Sequence, residues 1–184
     1  ARYRHQDHPS LVDTVYLGAY RKADFERLGG YRNLPGVAED ADLYYRWRTQ
    51  GARVLLDPSI SSTYEPRDSW PALARQSVRY GWGKADMLYA NRVRPSLRPL
   101  APLALVLGLA AGAVMAIATG LRWPFIALLG LWTAALLWVA LGAGGRLVHR
   151  GRTLLATALM QLSYGVGLLG GLLRGPGPRR HLQS

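Results

Sequence analysis

The sequence lacks cysteine, and its acidic residues are confined to one part of the chain. With 0 Cys in 184 residues, neither a disulfide nor a thiolate metal site can form. All 11 Asp and Glu residues lie at or before Asp86, whereas arginine continues to the C-terminus. From Pro99 onward the chain consists mostly of Leu, Ala, Gly, Val and Trp. This change in composition argues against one uniform domain and places a boundary near residues 92–98.

The excess of basic residues has two interpretations. A formal charge of +12 would suggest a nucleic-acid partner if the charges formed a stripe on a soluble domain. Here many arginines flank apolar segments, which is the pattern of membrane edges that face anionic lipid. The sequence therefore predicts membrane lipids as partners and no nucleic acid. Because the first residue is Ala, we also expect the chain to begin at an interior cut.

Three apolar stretches predict an α-helical transmembrane bundle in a membrane region at 98–184. They cover about residues 99–121, 123–144 and 153–173, each close to the ~20 residues that a helix needs to cross a bilayer. The first two contain no charged side chain. The third contains Gln161, Ser163 and Tyr164, so we expect two to three spans.

Basic residues around these stretches predict their orientation, because positively charged loops remain on the cytoplasmic side of a membrane. Only Arg122 separates the first two stretches, whereas both outer flanks are basic. The flanking residues are Arg92, Arg94 and Arg98 before the first stretch, and Arg146, His149, Arg150 and Arg152 after the second. The polar N-terminal half is therefore predicted to be cytoplasmic.

The basic tail does not fit three full crossings. Arg174, Arg179 and Arg180 follow the third stretch, although three crossings would place them outside. Either the tail breaks the charge rule or the third stretch is re-entrant.

The polar half alternates short helix and strand patterns, which favours an α/β fold. Helices are predicted over 22–28 and 39–50, and a buried strand over 52–56, with Gly29-Gly30 and Gly51 as helix ends. Ser69 is expected to cap a further helix with Pro71 in its first turn. The interleaved aromatic and basic residues of this segment, 69–97, suit an amphipathic helix at the membrane surface.

A carboxylate cluster, Glu39-Asp40-Ala41-Asp42, lies at the predicted start of the 39–50 helix. A carboxylate held at a helix start can face a cleft, as a general base must. The alternative is that these acids only complement the helix dipole. The cluster alone does not decide between the two.

Gln76, Arg79 and Tyr80 fall on adjacent turns of the predicted surface helix. Amide, guanidinium and ring could converge on one ligand, and an Arg suits a diphosphate through its paired donors. The alternative is an interfacial helix whose Arg meets lipid phosphate.

Taken in order, these segments resemble the acceptor-side half of family 2 glycosyltransferases, and in particular membrane enzymes of the succinoglycan-biosynthesis type. The resemblance covers residues 13–84 and rests on four segments. They are Val12-Asp13-Thr14-Val15, Gly18 to Arg21, Phe25 to Tyr31, and Glu39-Asp40-Ala41-Asp42-Leu43 with Arg46. A further motif, Gln76-x-x-Arg79-Tyr80, follows these segments and precedes the apolar stretches.

The resemblance implies a role for each matching position. Asp40 would be the catalytic base that deprotonates the acceptor hydroxyl, and Glu39 and Asp42 would shape that site. Gly29 and Gly30 would let the backbone approach the acceptor sugar. The remaining substrate-binding positions would be Gln76, Arg79, Tyr80 and Asp13.

Two of these positions carry open alternatives. Tyr80 stands where the family's motif has Trp, which leaves acceptor stacking and processivity open. Asp13 has a hydrogen-bonding role in the core as an equal alternative.

The resemblance further implies that residues 1–68 are the acceptor-side half of an incomplete GT-A-like domain. The expected function is an inverting transfer of a sugar from a nucleotide-sugar donor to a lipid-linked or polysaccharide acceptor. A divalent cation, Mg²⁺ or Mn²⁺, is expected, with its ligands outside this chain. The chain is also expected to lack the donor-binding half and therefore to be inactive alone. The competing interpretation is a non-catalytic membrane scaffold or degenerate remnant. A transporter is weaker because no charge lies within the apolar stretches.

Overall fold

A computed structural model describes residues 8–15, 18–34, 37–60, 69–92, 97–143 and 146–176. This part of the chain is mostly helical. Its elements in chain order are β1 (Ser10–Leu11), α1 (Lys22–Arg27), α2 (Glu39–Thr49), β2 (Leu55–Leu56), α3 (Trp70–Asn91), α4 (Leu97–Thr119), α5 (Trp123–Gly142) and α6 (Leu147–Arg174).

The β-structure among the described residues is one small antiparallel pair. Ser10 pairs with Leu56 and Leu11 with Leu55, and Val12 N–H extends the pairing to the carbonyl of Val54 at 3.0 Å. The strand predicted over 52–56 is thus shortened to two residues, because only the short β1 pairs with it. An α/β domain of GT-A type is not evident in the described residues.

Helices α1 and α2 enclose a small aromatic core in the polar half. Leu28, Leu43 and Trp47 are buried, and Tyr20 and Phe25 pack against them. The ring of Tyr20 stacks on Phe25 at 5.4 Å and meets Trp47 edge-on at 5.0 Å. The chain leaves α1 through two glycines at φ 80° and 54°, where a side chain would be strained.

Helix α3 begins after Ser69, the predicted N-cap residue. Ser69 precedes the helix and Pro71 lies in its first turn, but the Ser69 side chain forms no capping hydrogen bond. The predicted N-cap position of Ser69 is therefore confirmed, its side-chain capping bond is not formed, and the proline with its fixed φ favours the helix start. The helix ends at Asn91, where Arg92 adopts a left-handed conformation with φ 51°.

One face of α3 packs tightly against α6. A Cβ atom on Gly167 would collide with the backbone of Val78, and one on Gly171 would lie 2.7 Å from the Cβ of Ala85. Near the ends of both helices, the Tyr89 hydroxyl donates a hydrogen bond to the carbonyl of Leu172 at 2.7 Å. Because Gly167 and Gly171 have no side chains, α6 approaches α3 closely at these two positions.

The other face of α3 contacts the polar half. A Cβ on Gly83 would lie 2.9 Å from the carbonyl oxygen of Val37, just before α2 begins. Asn91, two turns further on, bonds to Arg32 and Asp42. Since 83 and 91 lie on the opposite side of the helix from 78 and 85, α3 joins the polar half to the apolar helices.

Three described helices are long and apolar enough to cross a membrane: α4, α5 and α6, with mean hydropathies of 2.3, 2.1 and 1.4. They fit an integral membrane protein. Helix α6 begins six residues before the predicted 153, since helical structure continues through the basic turn at His149 and Arg150. The polar Gln161 is satisfied within the bundle, because its side-chain oxygen accepts from Trp132 Nε1 at 2.7 Å.

The end of α6 is joined to α3 by charge. Arg174 Nη2 lies 2.6 Å from Asp86 Oδ1, and Asp86 is buried. The same guanidinium lies 5.4 Å from the centre of the Trp82 ring. The last turn of α6 is therefore held at the C-terminal part of α3.

Candidate active site

A pocket of about 570 Å³ opens on the polar half, within the usual size range of small-molecule sites. It lies between the loop that follows α1 and the first turn of α2. The loop contributes four consecutive residues and the helix contributes two acids. The lining residues are Tyr31, Arg32, Asn33, Leu34, Glu39 and Asp40.

Both acids in the pocket occupy the first turn of α2 and are exposed. The Ala41 N–H donates to Asp40 Oδ1 at 2.6 Å, and the positive end of the helix dipole favours negative charge there. Asp40 thus offers an exposed carboxylate, partly anchored by the backbone, to whatever occupies the pocket. This geometry suits a general base and is equally what a dipole-complementing acid would show.

Two tyrosines beside the pocket have raised pKa values. The hydrogen bond between the Tyr31 and Tyr20 hydroxyls raises the pKa of the Tyr31 phenol, and burial is the second cause of this increase. Burial raises the pKa of Tyr44 to about 12, with smaller contributions from Tyr20 and Asp40. Both phenols are therefore neutral hydrogen-bonding groups at physiological pH.

Asp42 differs from its two acidic neighbours, because it is fully buried and does not line the pocket. Its Oδ2 lies 2.9 Å from Arg46 Nε, and its Oδ1 lies 3.5 Å from Arg32 Nη1. Its Oδ1 also accepts a hydrogen bond from Asn91 Nδ2 at 2.6 Å. Asp42 thus links α2, the pocket loop and the end of α3 beneath the pocket.

Arg46 fixes the glycine turn. Its Nη1 donates to the carbonyl of Leu28 at 2.8 Å, and its Nη2 donates to the carbonyl of Gly30. Gly29 and Gly30 are therefore held against α2, and neither lines the pocket. Their proposed approach to a sugar stays a prediction.

The Gln-x-x-Arg-Tyr segment lies on α3. Gln76 Nε2 donates to the Tyr80 hydroxyl at 2.8 Å, and both share the helix face of Gly83, which contacts Val37. Arg79 and Tyr80 are exposed, and none of the three lines the pocket. The structure brings Gln76 and Tyr80 together but does not join them to Asp40.

Asp13 lies apart from the pocket. Its side chain is 74% exposed and forms an ion pair with Arg48 at 2.8 Å. The alternative of a core hydrogen-bonding role is wrong, because the carboxylate lies at the surface.

Two residues that sequence reasoning missed complete the site. Arg32 is the only cation among the described residues that line the pocket, and Asn91 contacts both Arg32 and Asp42. Arg32 follows the Gly-Gly-Tyr segment directly and could have been considered with it. Asn91 is 49 positions away from Asp42, and no local pattern signals such a contact.

The described residues do not supply a metal site. Within these ranges no group of three or more His, Asp or Glu side chains could hold a metal ion. The divalent cation implied by the resemblance stays a prediction, with its ligands expected elsewhere.

Comparison with known proteins gives one relative. The chain is 34% identical over 147 residues to the succinoglycan biosynthesis protein ExoA of Rhizobium meliloti (strain 1021). The alignment covers 78% of this chain and 43% of ExoA, so the chain spans less than half of that protein's length. No protein-family model matches the chain, and no solved structure does.

Proposed function

We infer that this chain is the acceptor-side and membrane part of an inverting family 2 glycosyltransferase of exopolysaccharide synthesis. It would move a sugar from a nucleotide-sugar donor to a lipid-linked or polysaccharide acceptor, with the polar half in the cytoplasm. The observation that carries this proposal is the position of Asp40. Its exposed carboxylate lies in a pocket within a chain similar to a succinoglycan biosynthesis protein.

The proposed chemistry needs one proton acceptor in the pocket. Asp40 accepts the proton of the acceptor hydroxyl while that oxygen attacks the anomeric carbon from the face opposite the leaving group. The bond from the anomeric carbon to the diphosphate oxygen breaks, and the nucleoside diphosphate leaves with inversion. A divalent cation would neutralise the diphosphate.

The other residues would act on binding. Glu39 lines the pocket beside Asp40 and would orient the acceptor. Gln76, Arg79 and Tyr80, on the face of α3 turned toward the polar half, would close over the diphosphate and the acceptor end. The site would be supported by Arg46, which binds both Asp42 and the turn at Gly29 and Gly30.

The test is Asp40→Asn in the full-length protein in its own membranes. Sugar transfer from radiolabelled nucleotide sugars should fall by a factor of about 10² or more, the usual contribution of a general base. The thermal midpoint should change little, because Asp40 is exposed. Asp24→Asn removes an exposed carboxylate of α1 and should transfer normally.

Transfer that survives Asp40→Asn would reject the base assignment. Absence of transfer in the wild-type protein, with every nucleotide sugar tried, would favour the non-catalytic scaffold.

A further inference from the structure

The buried carboxylate of Asp42 faces more positive charge than it can neutralise. Asp42 faces two guanidinium groups, those of Arg46 and Arg32, at 2.9 and 3.5 Å. One carboxylate offsets one of them. The two guanidinium groups therefore share the single carboxylate of Asp42.

Arg46 is not available to a ligand. Its side chain is 9% exposed, and each of its three nitrogens is engaged, with Asp42, Leu28 and Gly30. Its charge serves the fold of the polar half.

Arg32 has the opposite character. Its side chain is 44% exposed and lines the pocket that contains Asp40. Among the described residues, its hydrogen bond and its ion pair both use Nη1. The Nε–H and the two hydrogens of Nη2 are left to form the paired donors that an anion binds.

Asn91 determines where this guanidinium lies. Its Oδ1 accepts from Arg32 Nη1 at 3.2 Å, while its Nδ2 donates to Asp42 at 2.6 Å and to the carbonyl of Met87 at 3.0 Å. With both ends of the amide engaged, the oxygen must face Arg32. The last residue of α3 thus holds a side chain of the pocket.

We propose that Arg32 is an anion-binding residue of this pocket, that its ligand is a phosphate or diphosphate group, and that Asn91 is its positioning residue. A guanidinium with free paired donors matches phosphate oxygens. The choice of ligand rests on the proposed function, in which the phosphate belongs either to the nucleotide-sugar donor or to a phosphorylated lipid acceptor.

The first experiment measures binding of inorganic pyrophosphate to the purified full-length protein by calorimetry, without divalent cations. Arg32→Gln should weaken binding about tenfold, the effect of losing a charge-assisted pair, and Arg32→Lys should weaken it less. Arg27→Gln removes an exposed arginine that also has one carboxylate partner and should bind as wild type. Unchanged affinity in Arg32→Gln would overturn the proposal.

Asn91→Ala tests the positioning role. It leaves Arg32 in place but removes its orienting oxygen, so pyrophosphate affinity should fall by about threefold to tenfold. If affinity is unchanged while the thermal midpoint drops, Asn91 is only structural and that part of the proposal is wrong.

Measurements of KM for both substrates identify the source of the phosphate. In Arg32→Gln, a higher KM for the nucleotide sugar alone assigns the donor, and a higher KM for the phosphorylated lipid alone assigns the acceptor. Pyrophosphate binding does not require transfer, so absence of transfer in the wild-type protein would reject the proposed function and leave the Arg32 result standing.

Discussion

The two sides of α3 are held by different physical means. Toward the polar half, contact depends on charge: the buried Asp42 carboxylate receives hydrogen bonds from α2 and from Asn91. Toward α6, contact along the helices depends mainly on the absence of side chains, since Gly167 and Gly171 admit the backbone of α3, and the ion pair of Arg174 with Asp86 adds to it at the helix ends. One side should therefore respond to the loss of a charge, and the other to the gain of a single methyl group.

The largest expected effect is the loss of charge at Asp42. In Asp42→Asn, Arg46 is left buried without a counter-ion, which costs about 3–5 kcal/mol when a buried pair is broken. The polar half should unfold at a much lower temperature, as followed by tryptophan fluorescence in detergent.

Asp24→Asn is the matched control for this change. It breaks an exposed ion pair with Arg27, for which the cost is about 0–1 kcal/mol. Similar shifts in both variants would mean that burial does not govern the Asp42 cluster.

A smaller effect is expected where α3 meets α6. In Gly167→Ala, the new Cβ collides with the Val78 backbone, and overpacking of this kind costs about 1–3 kcal/mol. The thermal midpoint of the bundle should fall. Gly130→Ala has nothing within 4 Å of its new Cβ and should keep or raise the midpoint, because Ala favours a helix over Gly.

A contrary ranking would break the comparison. If Gly130→Ala lowers the midpoint as much as Gly167→Ala, the close approach of α3 and α6 does not stabilise the bundle.

The smallest effect concerns alkaline pH. The pKa of Tyr44 is raised to about 12, mainly by burial, from about 10 in an unfolded chain. The folded state thus retains a proton that the unfolded state loses, so this contribution is complete below pH 10 and is lost as pH rises through 12. Tyr44→Phe should reduce the loss of stability between pH 10 and 12, measured by urea unfolding. If the stability of Tyr44→Phe falls with pH as steeply as that of the wild type, this prediction is wrong.

Local patterns predicted the helices better than the contacts between them. The acids at Glu39 and Asp40 and the stop at Gly51 placed α2 within one residue of its observed end. The long apolar runs placed α4 and α5 within two residues, because membrane helices satisfy their backbone groups within one segment.

Contacts between distant segments could not be predicted in this way. Asp42 and Asp40 look alike in sequence, yet one is buried and the other is exposed. The difference depends on Asn91, which reaches Asp42 only once α3 has packed beside α2. The small β1–β2 pair likewise depends on partners 44 and 46 residues away, which hydrophobic periodicity does not reveal.

The contacts at the end of α6 determine the route of the chain. Leu172 and Arg174 bond to Tyr89 and Asp86, a few residues before Asn91, which itself contacts the polar half. The end of α6 therefore lies close to the polar half. We therefore expect the basic tail after Arg174 to lie on the same side of the membrane as the polar half.

Because these 184 residues contain no cysteine, single cysteines introduced into them can be labelled without reaction at other thiols of this segment. Cysteines introduced by Ser184→Cys and Ser69→Cys should react with an impermeant maleimide from one side, and one introduced by Leu121→Cys from the other.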